Sequence, residues 1–410
     1  MTSEAGLALA VGFARQPPLG MLSVGWNDDA DVPFTPVDDF PFEDGAVATL
    51  HAARFAADLT VGRLVHLLLE CRRVLRPGGV LRVEAARVDP AATRVHEHAL
   101  LVGLDACAMA DDDAALAFTK PDRRVVGTPL VSIGIPAYNP RYFGFALDSA
   151  LAQTYENIEI VVCDDSDDGA IEATVAQRAG RRPIRYARNP SRLRPRANFT
   201  RCLTTSRGEF MKFLCDDDVL APTCVERLVD AFRQAPDVTL ATSHRARIDT
   251  AGRELPPLPA TWPIVATDAL IAGPTLANAV LMAGLNTVGE PSTVLFRRAD
   301  LLAAPDHFVF RGQAGHGVID LVTWAALLMK GDAVYLRESL SAFRFHAEQR
   351  QHDATVLERS IASIRGLQAA WLELEVHERQ SPDQLLVKPF PPDGTDWQPR
   401  AVQGFAVRRA

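Results

Sequence analysis

The sequence predicts an α/β protein whose main body is a parallel sheet with helical crossovers. A β-rich run closed by proline and loop residues occurs at 131–139, and apolar runs of strand length at 158–162 and 210–214. Between the first two lies a stretch with helical apolar spacing at Phe145, Leu147, Ala150 and Leu151, and another helix is expected soon after the second. The second and third runs end in acid, at Cys163-Asp-Asp-Ser-Asp-Asp-Gly169 and Cys215-Asp-Asp-Asp218. In such sheets ligands bind at the carboxyl ends of the strands, where both acidic clusters lie.

The triplet Asp216, Asp217 and Asp218 is the most informative stretch. Adjacent carboxylates repel one another and are costly to bury, so something must neutralise them. A divalent cation with oxygen ligands does so, and such an ion also grips phosphate. On the triplet alone, a solvated acidic turn with Asp218 near the start of a helix opened by Pro222 is an equal reading.

The chain has 410 residues, enough for two or three domains. Hydrophobic content of 48% and charged content of 23% are ordinary for a globular protein. A net charge of −8 without a basic tract argues against a nucleic-acid binder. The six cysteines form no CxxC pair or zinc-spaced cluster, and read as reduced thiols of a cytoplasmic protein. No signal pattern opens the chain. Its most apolar stretch, 264–285, is broken by Asp268, Pro274 and Asn278, so no run reaches the length of a membrane span.

Residues 1–90 are expected to form a first small domain. A helix is predicted with apolar spacing at Val61, Leu64, Val65, Leu68 and Val74, stopped by Arg76-Pro-Gly-Gly79, and a strand over 80–83 follows. Together with Asp39-Phe-Pro-Phe-Glu-Asp-Gly45, these residues resemble the second half of a class I S-adenosylmethionine-dependent methyltransferase. Cofactor binding in that family needs a glycine-rich turn after the first strand. The corresponding Gly20-Met-Leu-Ser-Val-Gly-Trp26 has no G-x-G run, and Ala56-Ala-Asp58 stands where the family often has Glu-His. The resemblance therefore implies a degenerate, partial Rossmann-like domain used for packing or partner contact. A connector is expected over 91–128, with one helix at 96–109, and a second acidic triplet, Asp111 to Asp113, as solvated loop or helix cap.

From about 129 to 346 the chain resembles the family 2 glycosyltransferases, nucleotide-sugar enzymes of the GT-A fold. The resemblance rests on "VSIGIPAYN" at 131–139, "ALAQTYENIEIVVCDDSDDG" at 150–169, "RGEFMKFLCDDDVLAP" at 207–222 and "ESLSAFRFH" at 338–346, in this order and spacing. It implies a fold of a GT-A domain over 129–350, preceded by the methyltransferase-type α/β domain and followed by a C-terminal helix and tail over 351–410. It also implies roles. Pro136, Ala137 and Tyr138 line the nucleotide base. Asp165, supported by Asp164, accepts from the ring N–H of a uracil- or thymine-type base; the other reading is that 164–168 cap the next helix. Arg194, Arg196 and Asn198 contact base or diphosphate, or are solvated loop residues.

In the metal motif, Cys215 stands where the family commonly has its first acid. Asp217 matches the acid that holds Mn2+ or Mg2+ directly, with Asp218 alongside and Asp216 on the donor; Cys215 is an unexpected ligand for so hard an ion. His346 contacts metal or diphosphate, or is structural. Asp320 stands where the family's catalytic base does, and otherwise reads as an acid at a helix N-terminus. His316 is a lesser candidate and Glu290 an acceptor-side residue. An amphipathic helix over 355–376 is expected to pack on the sheet, and the tail from Ser381 to be partly mobile. The implied partners are a nucleotide-sugar donor and a glycan or lipid-linked acceptor, with no nucleic acid. A peripheral membrane or partner-enzyme contact is left open.

Overall fold

The computed structural model describes residues 7–12, 22–25, 32–33, 39–53, 59–84, 90–107, 115–178, 180, 182–304, 306–349 and 354–403. The chain divides into two compact units: Met1–Arg123 with Leu372–Arg379, and Arg124–Trp371 with Gln380–Ala410.

The first unit contains strands β1 (Leu7–Gly12), β2 (Leu22–Gly25), β3 (Val32–Pro33) and β4 (Val47–Ala53), helix α1 (Val61–Val74), strand β5 (Leu75–Glu84), helix α2 (Pro90–Leu101), and strands β6 (Asp105–Cys107) and β7 (Ala115–Thr119). They form one seven-stranded sheet of order β3-β2-β1-β4-β5-β7-β6, parallel from β3 to β5. β7 runs antiparallel to β5, and β6 antiparallel to β7. Thr60 caps α1 by accepting from the Arg63 N–H, and α1 buries Leu64, Val65, Leu67, Leu68, Cys71 and Val74. Arg73 and Glu70 tie the 39–45 loop to this helix. Arg73 donates to the carbonyls of Phe40 (2.8 Å) and Phe42 (2.7 Å), and Glu70 accepts from the Phe40 N–H (2.7 Å).

Four expectations for this unit change. The strand after α1 begins at Leu75, and 76–79 form a bulge within it, because Val47 pairs with Leu75 and Thr49 with Val80. Gly78 takes φ +76° at that bulge, a conformation open to glycine. Within the stretch Gly20 to Trp26, read as the turn after the first strand, residues 22–25 form a strand of their own. The strand before it is Leu7–Gly12. Residues 91–128, expected as a connector, carry α2, β6 and β7, which complete the sheet, and the expected helix at 96–109 is α2, ending at Leu101. The Ala56-Ala-Asp58 site, the turn after β1 and the triplet Asp111 to Asp113 lie outside the described residues.

The second unit begins with β8 (Val131–Ala137), α3 (Pro140–Leu151), β9 (Ile158–Asp164), α4 (Ala170–Ala176), β10 (Ile184–Arg188), α5 (Pro195–Thr205) and β11 (Phe210–Phe213). It continues with β12 (Val219–Leu220), α6 (Cys224–Gln234), β13 (Leu240–Ile248), β14 (Glu254–Leu255), β15 (Ala269–Ile271), α7 (Gly273–Ala283), β16 (Leu295–Arg297) and α8 (Arg298–Leu302). The last elements are β17 (Val309–Phe310), β18 (Gln313–Ala314), α9 (Ile319–Lys330), β19 (Ala333–Arg344), α10 (Ala354–Leu372), β20 (Gln384–Pro389) and β21 (Gln398–Ala401).

Its main sheet has the order β10-β9-β8-β11-β16-β13-β19-β15-β20-β21, with β12 on β19 and β14 on β13. β10, β9, β8 and β11 are parallel, joined by helical crossovers as the sequence predicts. β9 is buried along its whole length, which explains the continuous apolar run 160–163 where a half-exposed strand would alternate. The core packs Phe143, Leu147, Leu228 and Phe232 against Ile133, Ile160, Val162 and Phe210.

The C-terminal expectations also change. α10 docks on α7, where Trp371 Nε1 donates to Asn278 Oδ1 (3.1 Å) and Gln368 to the Leu281 carbonyl (2.7 Å). The tail supplies β20 and β21, which extend the sheet beyond β15. Among the described residues no helix is long and apolar enough to cross a membrane.

Candidate active site

Strand order turns back between β8 and β11: β9 and β10 follow outward from β8 on one side, and β11 lies on the other. The crevice outside the carboxyl ends at such a turning point is where open α/β sheets hold ligands. Asp216 spans it. Its Oδ2 accepts the N–H groups of Tyr138 (2.6 Å) and Asn139 (2.7 Å), so the end of β8 and the acidic triplet after β11 are one structure.

The three carboxylates have different environments. Asp218 is 1% exposed, accepting from Ser292 Oγ (2.6 Å) and the Arg344 N–H (3.0 Å). That burial removes the solvated-turn reading, and the residue at the start of α6 is Thr223, whose side chain makes no capping bond. Asp217 presents its Oδ2 to His346 Nε2 at 3.1 Å, while Arg344 Nε holds its backbone carbonyl (2.9 Å). Burial, then the charge of Asp217, pushes Asp216 up to about 7, and the same causes in the same order raise Asp218. Burial likewise raises the Cys215 thiol. A cluster that resists carrying all its negative charge is a site that favours a cation.

The residues present fit such an ion. Cys215, Asp217 and Asp218 each bring a ligand atom within 4.8 Å of the others. The two carboxylates suit Mg2+ or Mn2+, and the thiol, unexpected as a ligand, stands in the same group. Asp216 is turned away, to the amides that follow β8. His346 is buried and stacks on Tyr142 (5.0 Å between centroids), and its Nδ1 has no hydrogen-bond partner. With Nε2 facing a carboxylate, the tautomer that places the proton on Nε2 satisfies the pair.

At the ends of β8 and β9, Pro136 and Ala137 close β8, and Tyr138 is exposed with Arg192 stacked 4.2 Å from its ring centre. Asp164 is fully buried, accepting from Tyr186 Oη (2.7 Å) and the Ser166 N–H (2.8 Å). Asp165 accepts from Asn189 Nδ2 (2.7 Å) and from the N–H groups of Leu193 (2.6 Å) and Arg194 (2.8 Å). Neither caps α4. That work falls to Asp168, which accepts the Ala170 N–H (3.0 Å). The grip of Asp165 holds Arg194 at φ +70°, a left-handed backbone that a non-glycine residue adopts only when its surroundings enforce it. The side chains of Arg194 and Arg196 are exposed. Asn198, expected to contact base or diphosphate, is 2% exposed and donates to the carbonyls of Cys163 (3.0 Å) and Ala137 (3.4 Å), so it braces the strand ends.

Asp320 lies in the first turn of α9, beside Phe199, Phe213, Phe308 and Trp324 at a small cavity. Its Oδ2 accepts from Asn286 Nδ2 (2.7 Å) and its Oδ1 from the Leu321 N–H (2.9 Å). Burial outweighs those donors and pushes the carboxyl up to about 6, a value suited to taking a proton near neutrality. Glu290 pairs with Arg245 at 2.5 Å, and His316 sits exposed in its loop.

Three further residues carry the site without having been singled out in the sequence. Lys212 is wholly buried in β11 and donates to the Ser292 carbonyl, beneath the triplet. Ser292 also accepts the Cys215 N–H (2.9 Å) while donating to Asp218. Arg344 binds Asp217 and Asp218 together. Lys212 was findable, since a lysine inside Phe210-Met-Lys-Phe-Leu214 breaks an apolar run. Ser292 gives no such signal.

Fold and site together define a glycosyltransferase domain: residues 132–299 match the family Glycosyl transferase family 2, and the chain belongs to that family. It is 30% identical over 237 residues to the uncharacterized protein MT1568 of Mycobacterium tuberculosis (strain CDC 1551 / Oshkosh), covering 53% of this chain and 68% of that protein. It is 32% identical over 144 residues to chondroitin synthase of Escherichia coli, covering 35% of this chain and 21% of that protein. Among solved structures it is similar to S. aureus TarS 1-349 in complex with UDP-GlcNAc, with 16% identity and a TM-score of 0.45 over 61% of this chain and 73% of that one. The chain thus spans about a fifth of chondroitin synthase and two thirds of the mycobacterial protein.

Proposed function

We propose that the chain is a metal-dependent, inverting glycosyltransferase that moves a sugar from a UDP- or dTDP-type donor to a hydroxyl of a glycan acceptor in surface polysaccharide synthesis, in the cytoplasm. The observation that carries this reading is the crevice itself. Asp165, Tyr138, Asp216 and Asp217 come from three strand ends, and Asp216 bonds the ends of two of them together. Similarity to a protein named chondroitin synthase supports a glycan acceptor.

In this reading Tyr138 offers its ring to the base, and Asp165 accepts from the imide N–H. Arg194 and Arg196 reach the diphosphate. Asp217 and Asp218 would hold Mn2+ or Mg2+, with His346 against Asp217, and the charge an ion held there would supply is that needed to offset a nucleoside diphosphate leaving group. Asp320 accepts the proton of the acceptor hydroxyl as its oxygen attacks the anomeric carbon from the face opposite the leaving group. The apolar walls around Asp320 keep water from competing for that carbon. The order β3-β2-β1-β4-β5 supports the first unit as a doubly wound, methyltransferase-type domain. We read it as a relic that serves packing or partner contact.

A thermal-shift screen of UDP-, dTDP- and GDP-sugars with and without Mn2+, and of S-adenosylmethionine, tests the whole reading, because a ligand of the native state raises Tm. A Mn2+-dependent rise with one nucleotide class is expected, and none with S-adenosylmethionine. With the donor so identified, Asp320→Asn should keep donor binding and lose transfer. Absence of any nucleotide shift would instead favour a catalytically silent glycan-binding module, and a shift with S-adenosylmethionine a bifunctional enzyme.

A further inference from the structure

Asp320 is held by more than its own helix. Asn286, in the loop between α7 and β16, donates from Nδ2 to Asp320 Oδ2 (2.7 Å) and to the Gly289 carbonyl (2.9 Å), while its Oδ1 accepts the Gly289 N–H (3.0 Å). This bracket leaves the amide one orientation. Turned over, its oxygen would face a carboxylate and a carbonyl, and its NH2 would face an N–H.

The backbone of the loop is equally fixed. Arg245, 3% exposed, donates to the carbonyls of Asn286 (2.8 Å), Thr287 (3.3 Å) and Ala260 (2.8 Å), and pairs with Glu290. Trp324 Nε1 donates to the Gly289 carbonyl (2.8 Å). Gly289 adopts φ +123°, where a Cβ would also meet the Thr293 side chain at 2.7 Å. Arg245, Trp324 and Gly289 thus converge to aim one amide at one carboxylate.

We propose that Asn286 is a positioning residue for sugar transfer, holding the Asp320 carboxylate in one orientation and favouring its anionic, proton-accepting form. The proposal rests on the reading of Asp320 as the base. Two forces oppose Asn286: burial among Phe199, Phe213, Phe308 and Trp324, and the negative charge of Glu290, the charged group that faces Asp320 from the same loop. The Leu321 N–H acts in the same direction as Asn286.

The test needs no substrate. Because the Asp320 carboxyl lies at about 6 in the folded protein against 3.8 ordinarily, the folded state binds its proton more tightly. Its contribution to stability is full below the ordinary value and is lost as pH rises through the folded one. The Tm of Asp320→Asn, minus that of the wild-type full chain, should therefore climb between pH 4 and about 7 and then level. In the Asn286→Ala background, the upper end of that climb should rise by about one pH unit and its midpoint by about half that, since a donor to the anion is lost. Asn286→Asp keeps an acceptor for the Gly289 N–H, so the loop is retained, and should move the midpoint further by adding a like charge.

Unmoved midpoints in both variants overturn the hold of Asn286 on Asp320 while leaving the base assignment standing. Flat wild-type behaviour, with no climb at all, overturns the proposal too. If the midpoints move but Asp320→Asn still transfers sugar from the identified donor, the base assignment falls, and the role of Asn286 in transfer falls with it.

Discussion

The triplet at 216–218 shows how little identical neighbours need share. Three aspartates in a row are given to three partners: the amides after β8, the imidazole of His346, and the hydroxyl of Ser292. Of the three aspartates, only Asp217 is both partly exposed and in the group with Cys215. Asp217→Ala should therefore abolish the Mn2+-dependent part of nucleotide binding, read by calorimetry with the donor found in the screen. Unchanged binding with added Mn2+ would refute its role as ligand. Consecutive acids at a strand end were legible as chemistry from the sequence. Their division of labour was not, because His346 and Ser292 lie more than seventy residues away in the chain. Asp165 makes the same point, since its carboxylate fastens the 189–194 loop beside the end of β9.

At the level of elements, the parallel strands and their crossovers were readable because buried strands of a parallel sheet are continuously apolar and end abruptly. The elements that were misjudged are those whose partners are remote. β6 and β7 are short and become strands only by pairing, β7 on β5 and β6 on β7. β20 and β21 do so only by pairing on β15 and on each other. Helix contacts have the same character. Gly273 opens α7 where a Cβ would collide with the carbonyl oxygens of Leu328 and Gly331, at the end of α9. Alanine at an open helical position gains up to about 1 kcal/mol over glycine, but here the collision is with backbone. Gly273→Ala should cost about 3 kcal/mol, near the top of the range for overpacking, seen as a lower midpoint in urea denaturation. A neutral or stabilising result would show that α7 and α9 can separate without penalty.

For the molecule as a whole, the strands closing the second unit's sheet come from the part of the chain that looked least structured. Leu385 is fully buried and Val402 nearly so, and β20 covers the edge of β15 along 269–271. Deleting 381–410 should uncover that edge and produce soluble aggregates on size exclusion, because an unpaired strand recruits another. A monodisperse protein with unchanged Tm would contradict this. Taken alone, the sequence determined the α/β class, the parallel half of the larger sheet and the two acidic strand ends, since these follow from local apolar runs and the charges that stop them. Tertiary structure decided which acid faces which partner, that Asn286 and Arg245 stand behind Asp320, and that the apparent connector and tail are sheet. Those outcomes depend on groups far apart in the chain, and no local pattern of residues encodes a distance between them.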